Sequence, residues 1–318
     1  MFILLAVVTL SGLWGWLPGV TGTGLATAGG GSGQGAAPTV SSSSFPTPIR
    51  HVIIVVLENE NLATVLAHGP FEEHLVHTYA SASSYYAICH PSSPNYLSIT
   101  SGKAWQCGTD SYHVYSTTDL GTLVDTAGLT WKAYDESMPT PCDTKNSGLY
   151  AVRHNPFVYY SDVASSASFC RSHDVNSKYF NESAASNTLP SLSFYTPNLC
   201  DDGHNYCGSG ASTPAKKTAQ ADRWLKGWLS PLLNESSFSN SVFLITFDES
   251  GNSDAGYNGT AGGLVYLAAV SPDARAGYVL TTNASHYNLL TTTEWLLGLG
   301  RTGQNDSWTA WPPMESMF

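Results

Sequence analysis

From His51 to Leu57 the chain reads HVIIVVL, a β-branched apolar run that stops abruptly at the polar string Glu58, Asn59, Glu60, Asn61. A half-exposed strand alternates apolar and polar residues, whereas a run with no polar face must be covered on both sides, as a parallel strand between two helical layers is. Similar runs occupy 129–134, 189–195, 242–247 and 264–270, and helical patterns at 216–233 and 287–299 separate or follow them. This alternation predicts an α/β fold, a three-layer sandwich with a mostly parallel central sheet. A hydrophobic content of 42% is enough to cover both faces of such a sheet.

The chain has 318 residues, and its beginning differs in composition from the rest. Residues 1–22 are largely apolar and read as an export leader or anchor. Residues 23–46 are rich in Gly, Ala and Ser and read as a tether, which leaves 47–318 as the folded domain. The first segment lacks a positive start, so a membrane anchor stands beside a signal peptide as its reading. That segment is the only expected link to a membrane. Six cysteines without any CxxC pair suit an oxidising compartment better than a zinc site. Nearness in sequence suggests Cys89 with Cys107, Cys142 with Cys170 and Cys200 with Cys207, among fifteen possible connectivities. Asn181, Asn234, Asn258, Asn283 and Asn305 each open an Asn-x-Ser/Thr sequon, consistent with a secreted or cell-surface protein.

Charged residues make up only 12% of the chain and the formal net charge is −11. Nucleic acid binding through counterion release needs clustered cations, and 13 scattered Lys and Arg do not supply them. The acidic balance instead welcomes a metal cation.

In open α/β sheets the functional crevice lies beyond the carboxyl ends of the strands. Here the strand at His51–Leu57 delivers Glu58 and Asn59, the run 242–247 delivers Asp248 and Glu249, and the run 189–195 leads to Asn198, Asp201, Asp202 and His204. Any one of these acids alone is most simply a solvated loop residue. Three strand ends bearing hard oxygen ligands, however, would repel one another without a divalent ion. The segment HPSSPNYLSITSG, 90–102, looks like a loop entering a helix, with Ser93 as N-cap and Pro94 as first helical residue. Ser92 then stands at the helix mouth, where free backbone N–H groups favour a phosphate and a neighbouring metal would lower the hydroxyl pKa. Asn95, one turn in, is within reach of a phosphoryl oxygen. The alternative is that these serines only cap a helix.

The string ENEN after a strand, then HPSSPNY, YAVRHNPF, LPSLSFYTPNLCDDGH, ITFDESGN and SHYNLL, in that order, resembles the phosphoesterase family of secreted acid phosphatases and phospholipases C. That family is similar in fold to the alkaline phosphatase superfamily. The resemblance implies that Glu58 and Asn59 bind a metal of unknown identity, that Ser92 is the nucleophile and a metal ligand, and that Asp248 and Glu249 complete the metal shell. It further implies that His154 with Asn155, and Asp202 with His204, face the phosphoryl group, and that His286 is a further candidate. The stretch SGNSDAGYNGTAGG after Glu249 lacks the histidine that many relatives carry there, which argues against a full two-metal site. The compact length favours the acid phosphatase branch over a phospholipase C or phosphodiesterase.

The expected activity is hydrolysis of small-molecule phosphate monoesters through a phosphoserine, with His154 or His204 neutralising phosphoryl oxygens or protonating the leaving group. Two other classes compete. A serine esterase would use Ser92 in a triad, but no G-x-S-x-G elbow surrounds it. A cell-surface glycan-binding protein would present Trp105, Trp224 and Trp228, although 224 and 228 share a helical face and suit packing better.

Overall fold

The computed structural model describes residues 49–251 and 256–318, so the leader and tether readings lie outside the described residues. Among the described residues the strands are β1 (His51–Leu57), β2 (Ala80–Ala82), β3 (Tyr85–Tyr86), β4 (Trp131–Asp135), β5 (Asp174–Asn176), β6 (Leu192–Thr196), β7 (Ser241–Phe247), β8 (Leu267–Val270), β9 (Val279–Leu280) and β10 (Ala284–Ser285). The helices are α1 (Leu62–His68), α2 (Pro70–Thr78), α3 (Ser92–Ser101), α4 (Leu120–Thr126), α5 (Ser161–Ala164), α6 (Ala167–His173), α7 (Lys178–Ala185), α8 (Pro214–Leu232) and α9 (His286–Leu297).

Eight strands form one sheet in the order β5-β4-β6-β1-β7-β8-β2-β9. β1 lies parallel between β6 and β7, and every one of Val52 to Leu57 is fully buried, which is why its sequence carries no polar face. Pairing stays parallel from β5 through β7, and β8 then runs antiparallel to both β7 and β2. The sandwich with a mostly parallel sheet is therefore as expected. Register fixes the site: Leu57 sits opposite Phe247, so Glu58 and Asp248 leave the sheet at the same level.

Helices cover the sheet. α8 packs on α1 and α2 and carries Trp224 and Trp228, stacked with ring centroids 5.5 Å apart and lying against Tyr195. Both tryptophans are thus packing residues, which leaves the glycan-face reading without its platform. α9 packs on α3. All six cysteines are paired as nearness in sequence suggests. No helix among the described residues is long and apolar enough to cross a membrane.

One expectation needs correcting. α3 begins at Ser92 after Pro91, so Ser93 is not its N-cap and Pro94 is not its first residue. The reason is tertiary: Asp110, 17 residues downstream, accepts the Ser93 backbone N–H at 2.9 Å and does from outside what a capping side chain would do locally.

Candidate active site

The carboxyl ends of β1, β6 and β7 are stitched to one another through their backbones. Glu58 N–H donates to the Asp202 carbonyl at 2.8 Å, Asp248 N–H to the Leu57 carbonyl at 2.9 Å, and Asn59 N–H to Asp248 Oδ1 at 3.0 Å. Asn59 takes a left-handed conformation, φ 60°, which Asn tolerates better than most residues. Gly203, φ 91°, turns the chain so that His204 N–H returns to Asp202 Oδ1 at 2.7 Å.

Glu58 is the hub. It is fully buried, and its Oε2 accepts from Ser92 Oγ at 3.0 Å and Asn59 Nδ2 at 2.8 Å. Its Oε1 accepts from the Tyr96 hydroxyl at 2.6 Å and faces His154 Nε2 at 3.2 Å. His154 Nδ1 lies 3.4 Å from Asp202 Oδ2, and its ring stacks on Tyr96. Ser92 also stands near enough to Asp248 and Glu249 for its hydroxyl to favour their charged forms. Ser92 is 3% exposed.

Four carboxyl groups gathered here are costly to ionise. Burial, followed by the charges of Asp248 and Asp202, pushes Glu58 well above the usual carboxylate range. Burial likewise raises Asp202 strongly and Asp248 to about 6; burial and then the Asp248 charge raise Glu249 to about 9. Burial, then Arg153 and His204, hold the His154 imidazole well below its ordinary value and therefore neutral. A divalent cation reverses that logic by stabilising the charged carboxylates.

The residues fit such an ion. Ligand atoms of Glu58, His154 and Asp202 all lie within 4.8 Å of one another, and each residue is buried. Asp202 Oδ2 and Asp248 Oδ2 are buried without hydrogen-bond partners, a state that native structures rarely leave unresolved. The sequence had set His154 and Asp202 toward the phosphoryl group; here they also stand beside Glu58 as ligands of the same cluster.

Other expected residues sit close by with different contacts. Glu249 Oε2 contacts His90 Nδ1 at 2.6 Å. His204, half-buried, meets Arg153 Nη2 at 3.0 Å through Nε2 and Asn205 through Nδ1. Since guanidinium nitrogens only donate, Nε2 is the acceptor and Nδ1 carries the proton. Asn95 uses its amide on the backbone of the loop before it, accepting from Ile88 and Cys89 N–H and donating to Cys89 and Pro91 carbonyls. His286 bridges the Tyr85 hydroxyl and the Asp248 carbonyl, and burial lowers it to about 4. Asn155 turns away toward Tyr150 and Asp174, because the short 3-10 turn Val152–His154 sends adjacent side chains in different directions.

Tyr96, His90, Arg153 and Asp110 were not among the expected site residues. Tyr96 was findable, since it lies four residues after Ser92 on the same helical face, and His90 lies in the HPSSPNY string itself. Asp110 and Arg153 reach the site through tertiary packing that no local pattern signals.

A serine at a helix mouth beside buried carboxylates and a histidine, at one edge of a mostly parallel sheet, fits a phosphoric ester hydrolase with an alkaline phosphatase-like architecture. Its fold is similar to an alkaline phosphatase superfamily protein from Vibrio parahaemolyticus, at TM-score 0.56 and 11% identity, covering 81% of this chain and 69% of that one. It is equally similar to human ectonucleotide pyrophosphatase/phosphodiesterase 5, at TM-score 0.56, 11% identity, and 82% and 98% coverage. The sequence matches the Phosphoesterase family over residues 67–300, and the chain belongs to that family. It is 32% identical over 276 residues to a phosphatidylinositol-3-phosphatase of Mycobacterium tuberculosis, covering 85% of this chain and 84% of that one. It is 29% identical over 235 residues to an acid phosphatase of Aspergillus fumigatus, covering 70% of this chain and 49% of the relative. The chain thus spans about half the length of that fungal relative. These relatives agree with the acid phosphatase-type phosphoester hydrolysis expected from the order of the motifs.

Proposed function

We propose that the protein is an exported acid phosphatase that cleaves phosphate monoesters through a phosphoserine at Ser92. The observation that carries this reading is the Ser92 hydroxyl at the first position of α3, bonded to Glu58 at 3.0 Å and near Asp248 and Glu249. Glu58, Asn59, Asp202, Asp248, Glu249 and His154 form the set from which a divalent cation draws its ligands, with Ser92 beside it. When bound, the ion supplies charge neutralisation and lowers the proton affinity of oxygen atoms next to it.

The protein's own groups do the rest. Glu58 and Asp248 orient the Ser92 hydroxyl and draw off its proton, and Oγ attacks phosphorus in line as the bond to the leaving oxygen breaks. At acid pH, once a second proton sits on the His204 imidazole and Arg153 is released from Nε2, His204 gives a proton to the leaving oxygen. Water then opens the phosphoserine and releases phosphate. Asn95 and His286 act by holding the backbone that presents Ser92 and Asp248. The domain from residue 47 to 318 carries this chemistry, residues 1–22 act as export leader or anchor, and 23–46 as a tether. Six cysteines closed as three disulfides and five exposed sequon asparagines support an extracellular location.

The test is turnover of p-nitrophenyl phosphate from pH 4 to 8 with and without exhaustive chelation, in the wild type and in Ser92→Ala. Silencing by chelation, recovery with divalent metal, and a loss of about 10³-fold or more in Ser92→Ala are expected. Full activity in the chelated enzyme removes the metal, and full activity in Ser92→Ala removes the phosphoserine. The name of the mycobacterial relative makes phosphatidylinositol 3-phosphate, itself a monoester, the lipid substrate to assay first.

A further inference from the structure

Beyond β6 the sheet continues to β4 and β5, and there a second buried acidic pair takes no part in the chemistry proposed above. Asp135 ends β4 and Asp174 begins β5, the edge strand. Asp174 is firmly anchored: it pairs with Ala133 across the ladder, its carbonyl accepts from Cys142 N–H at 3.1 Å, and Cys142 is bridged to Cys170, four residues before it. Burial, then the Asp174 charge, push Asp135 well above the usual carboxylate range. Asp135 therefore keeps its proton, and Asp174 is the acceptor of the pair.

What Asp174 accepts is the amide of Asn155. Asn155 Nδ2 donates to Asp174 Oδ2 at 2.9 Å and to the Tyr150 hydroxyl at 3.1 Å, and that hydroxyl donates in turn to the Asp143 carbonyl at 2.6 Å. Asn155 directly follows His154, whose ring nitrogens face Glu58 at 3.2 Å and Asp202 at 3.4 Å. The stretch that carries His154, Val152–His154, is a single 3-10 turn, too short to fix the direction of a side chain by its own hydrogen bonds. Pro156, next along the chain, has no N–H to offer. Two side-chain contacts fix the exit from the turn instead. Thr196 Oγ1 on β6 holds the His154 carbonyl at 3.1 Å, and the Asn155 amide is hooked to the edge of the sheet.

We infer that Asp174, acting through the Asn155 amide, is a positioning residue that sets the His154 ring between Glu58 and Asp202. This rests on the reading of His154 as one of the ligands available to the cation. Hydrogen bonds behind a metal ligand fix its orientation, and losing one typically costs about 10- to 100-fold in metal affinity. Asn155 thus serves the site from behind, without facing the phosphoryl group.

The test is a double-mutant cycle on Asn155→Leu and Asp174→Leu, with Asp174→Asn as the conservative variant that keeps an acceptor for the Asn155 amide. Two readouts are taken on each protein. One is the His154 ring cross-peak in the nuclear magnetic resonance spectrum of the metal-free protein, identified by its loss in His154→Gln. The other is the Kd for Mn²⁺ by calorimetry. Each leucine variant is expected to move the cross-peak and to weaken Mn²⁺ binding by about 10- to 100-fold. The double variant should bind within about 3-fold of the weaker single variant, because the second substitution has no hydrogen bond left to remove. Asp174→Asn should leave the cross-peak in place and the Kd within about 3-fold of wild type. At saturating Mn²⁺ the KM for p-nitrophenyl phosphate should stay within about 2-fold, since the hook aims a ligand and does not touch substrate. An unmoved cross-peak in both leucine variants, or losses that simply add in the cycle, overturn the proposal. If the leucine variants do not fold, Asn155→Ala and Asp174→Ala take their places in the same cycle. A wild type that binds no Mn²⁺ refutes the metal reading while the metal-free cross-peak still decides the hook, so the two failures are told apart.

Discussion

Glu294 lies on α9, two turns beyond His286, and its burial makes a quantitative prediction. Its side chain is fully buried against Asp306, whose Oδ2 is held by Thr302 Oγ1 at 2.9 Å and by Gly303 N–H at 3.1 Å. Burial first, and the Asp306 charge second, push Glu294 from 4.5 up to about 9. The folded protein therefore keeps a proton that the unfolded chain gives up. For a carboxyl group raised on folding, the stabilising contribution is complete below the unfolded pKa and is lost as pH rises through the folded one. One such proton changes stability by about 1.4 kcal/mol per pH unit, so between pH 5 and pH 8 the upper limit is about 4 kcal/mol. At about 2 °C per kcal/mol for a domain of this size, this group alone accounts for a fall in the wild-type Tm of up to about 8 °C. Glu294→Gln keeps a donor toward Asp306 and cannot ionise, so its Tm should fall less over the same range. The assay is thermal unfolding at half-unit pH steps at constant ionic strength and metal concentration. Parallel Tm curves for the two proteins would refute the reasoning, because the retained proton would then not reside on Glu294.

Two further predictions concern the site. Tyr96→Phe removes the 2.6 Å hydrogen bond to Glu58 Oε1 while leaving the ring stacked on His154. It should cost about 1.5–3 kcal/mol, seen as weaker divalent-metal protection against thermal unfolding; unchanged protection would take Tyr96 out of the ligand set's support. Opening the Cys89–Cys107 bridge with Cys89→Ala/Cys107→Ala frees a segment of 18 residues that holds both Asn95's backbone partners and the nucleophile helix. The expected loss is about 3 kcal/mol in calorimetry with a larger relative fall in kcat than in far-ultraviolet helix signal, and an unaltered kcat would show that the loop keeps its shape without the bridge.

Much of this was visible in the residues alone. β1 was read with its observed limits because full burial on both faces leaves an unbroken apolar run whose end is sharp. The acids at the ends of β1 and β7 were legible for the same reason: a buried strand that stops at charged residues marks a sheet edge. Other limits shifted where tertiary pairing overrode composition. β6 starts at Leu192 rather than 189, after Pro190, which has no N–H to give to a ladder. β8 starts at Leu267 rather than 264 because Leu264 and Val265 turn to partners outside β7: the Leu264 carbonyl accepts from Leu62, and Val265 N–H donates to Tyr85. The start of α3 was misplaced because its cap comes from Asp110, and Arg153 was missed because a cation next to His154 in sequence becomes meaningful only once Asp110 and His204 are packed around it.

The floor of the cleft hangs from three consecutive strands, β6, β1 and β7, whose spacing the hydrogen-bond ladder sets at about 4.8 Å. Glu58 and Asp248 are therefore held at a spacing that the sheet itself sets, whereas Asp110, which anchors the start of α3 through Ser93 N–H, comes from the stretch 103–118 outside that lattice. Substitutions in that stretch are expected to shift Ser92 relative to the two carboxylates without shifting the carboxylates relative to each other.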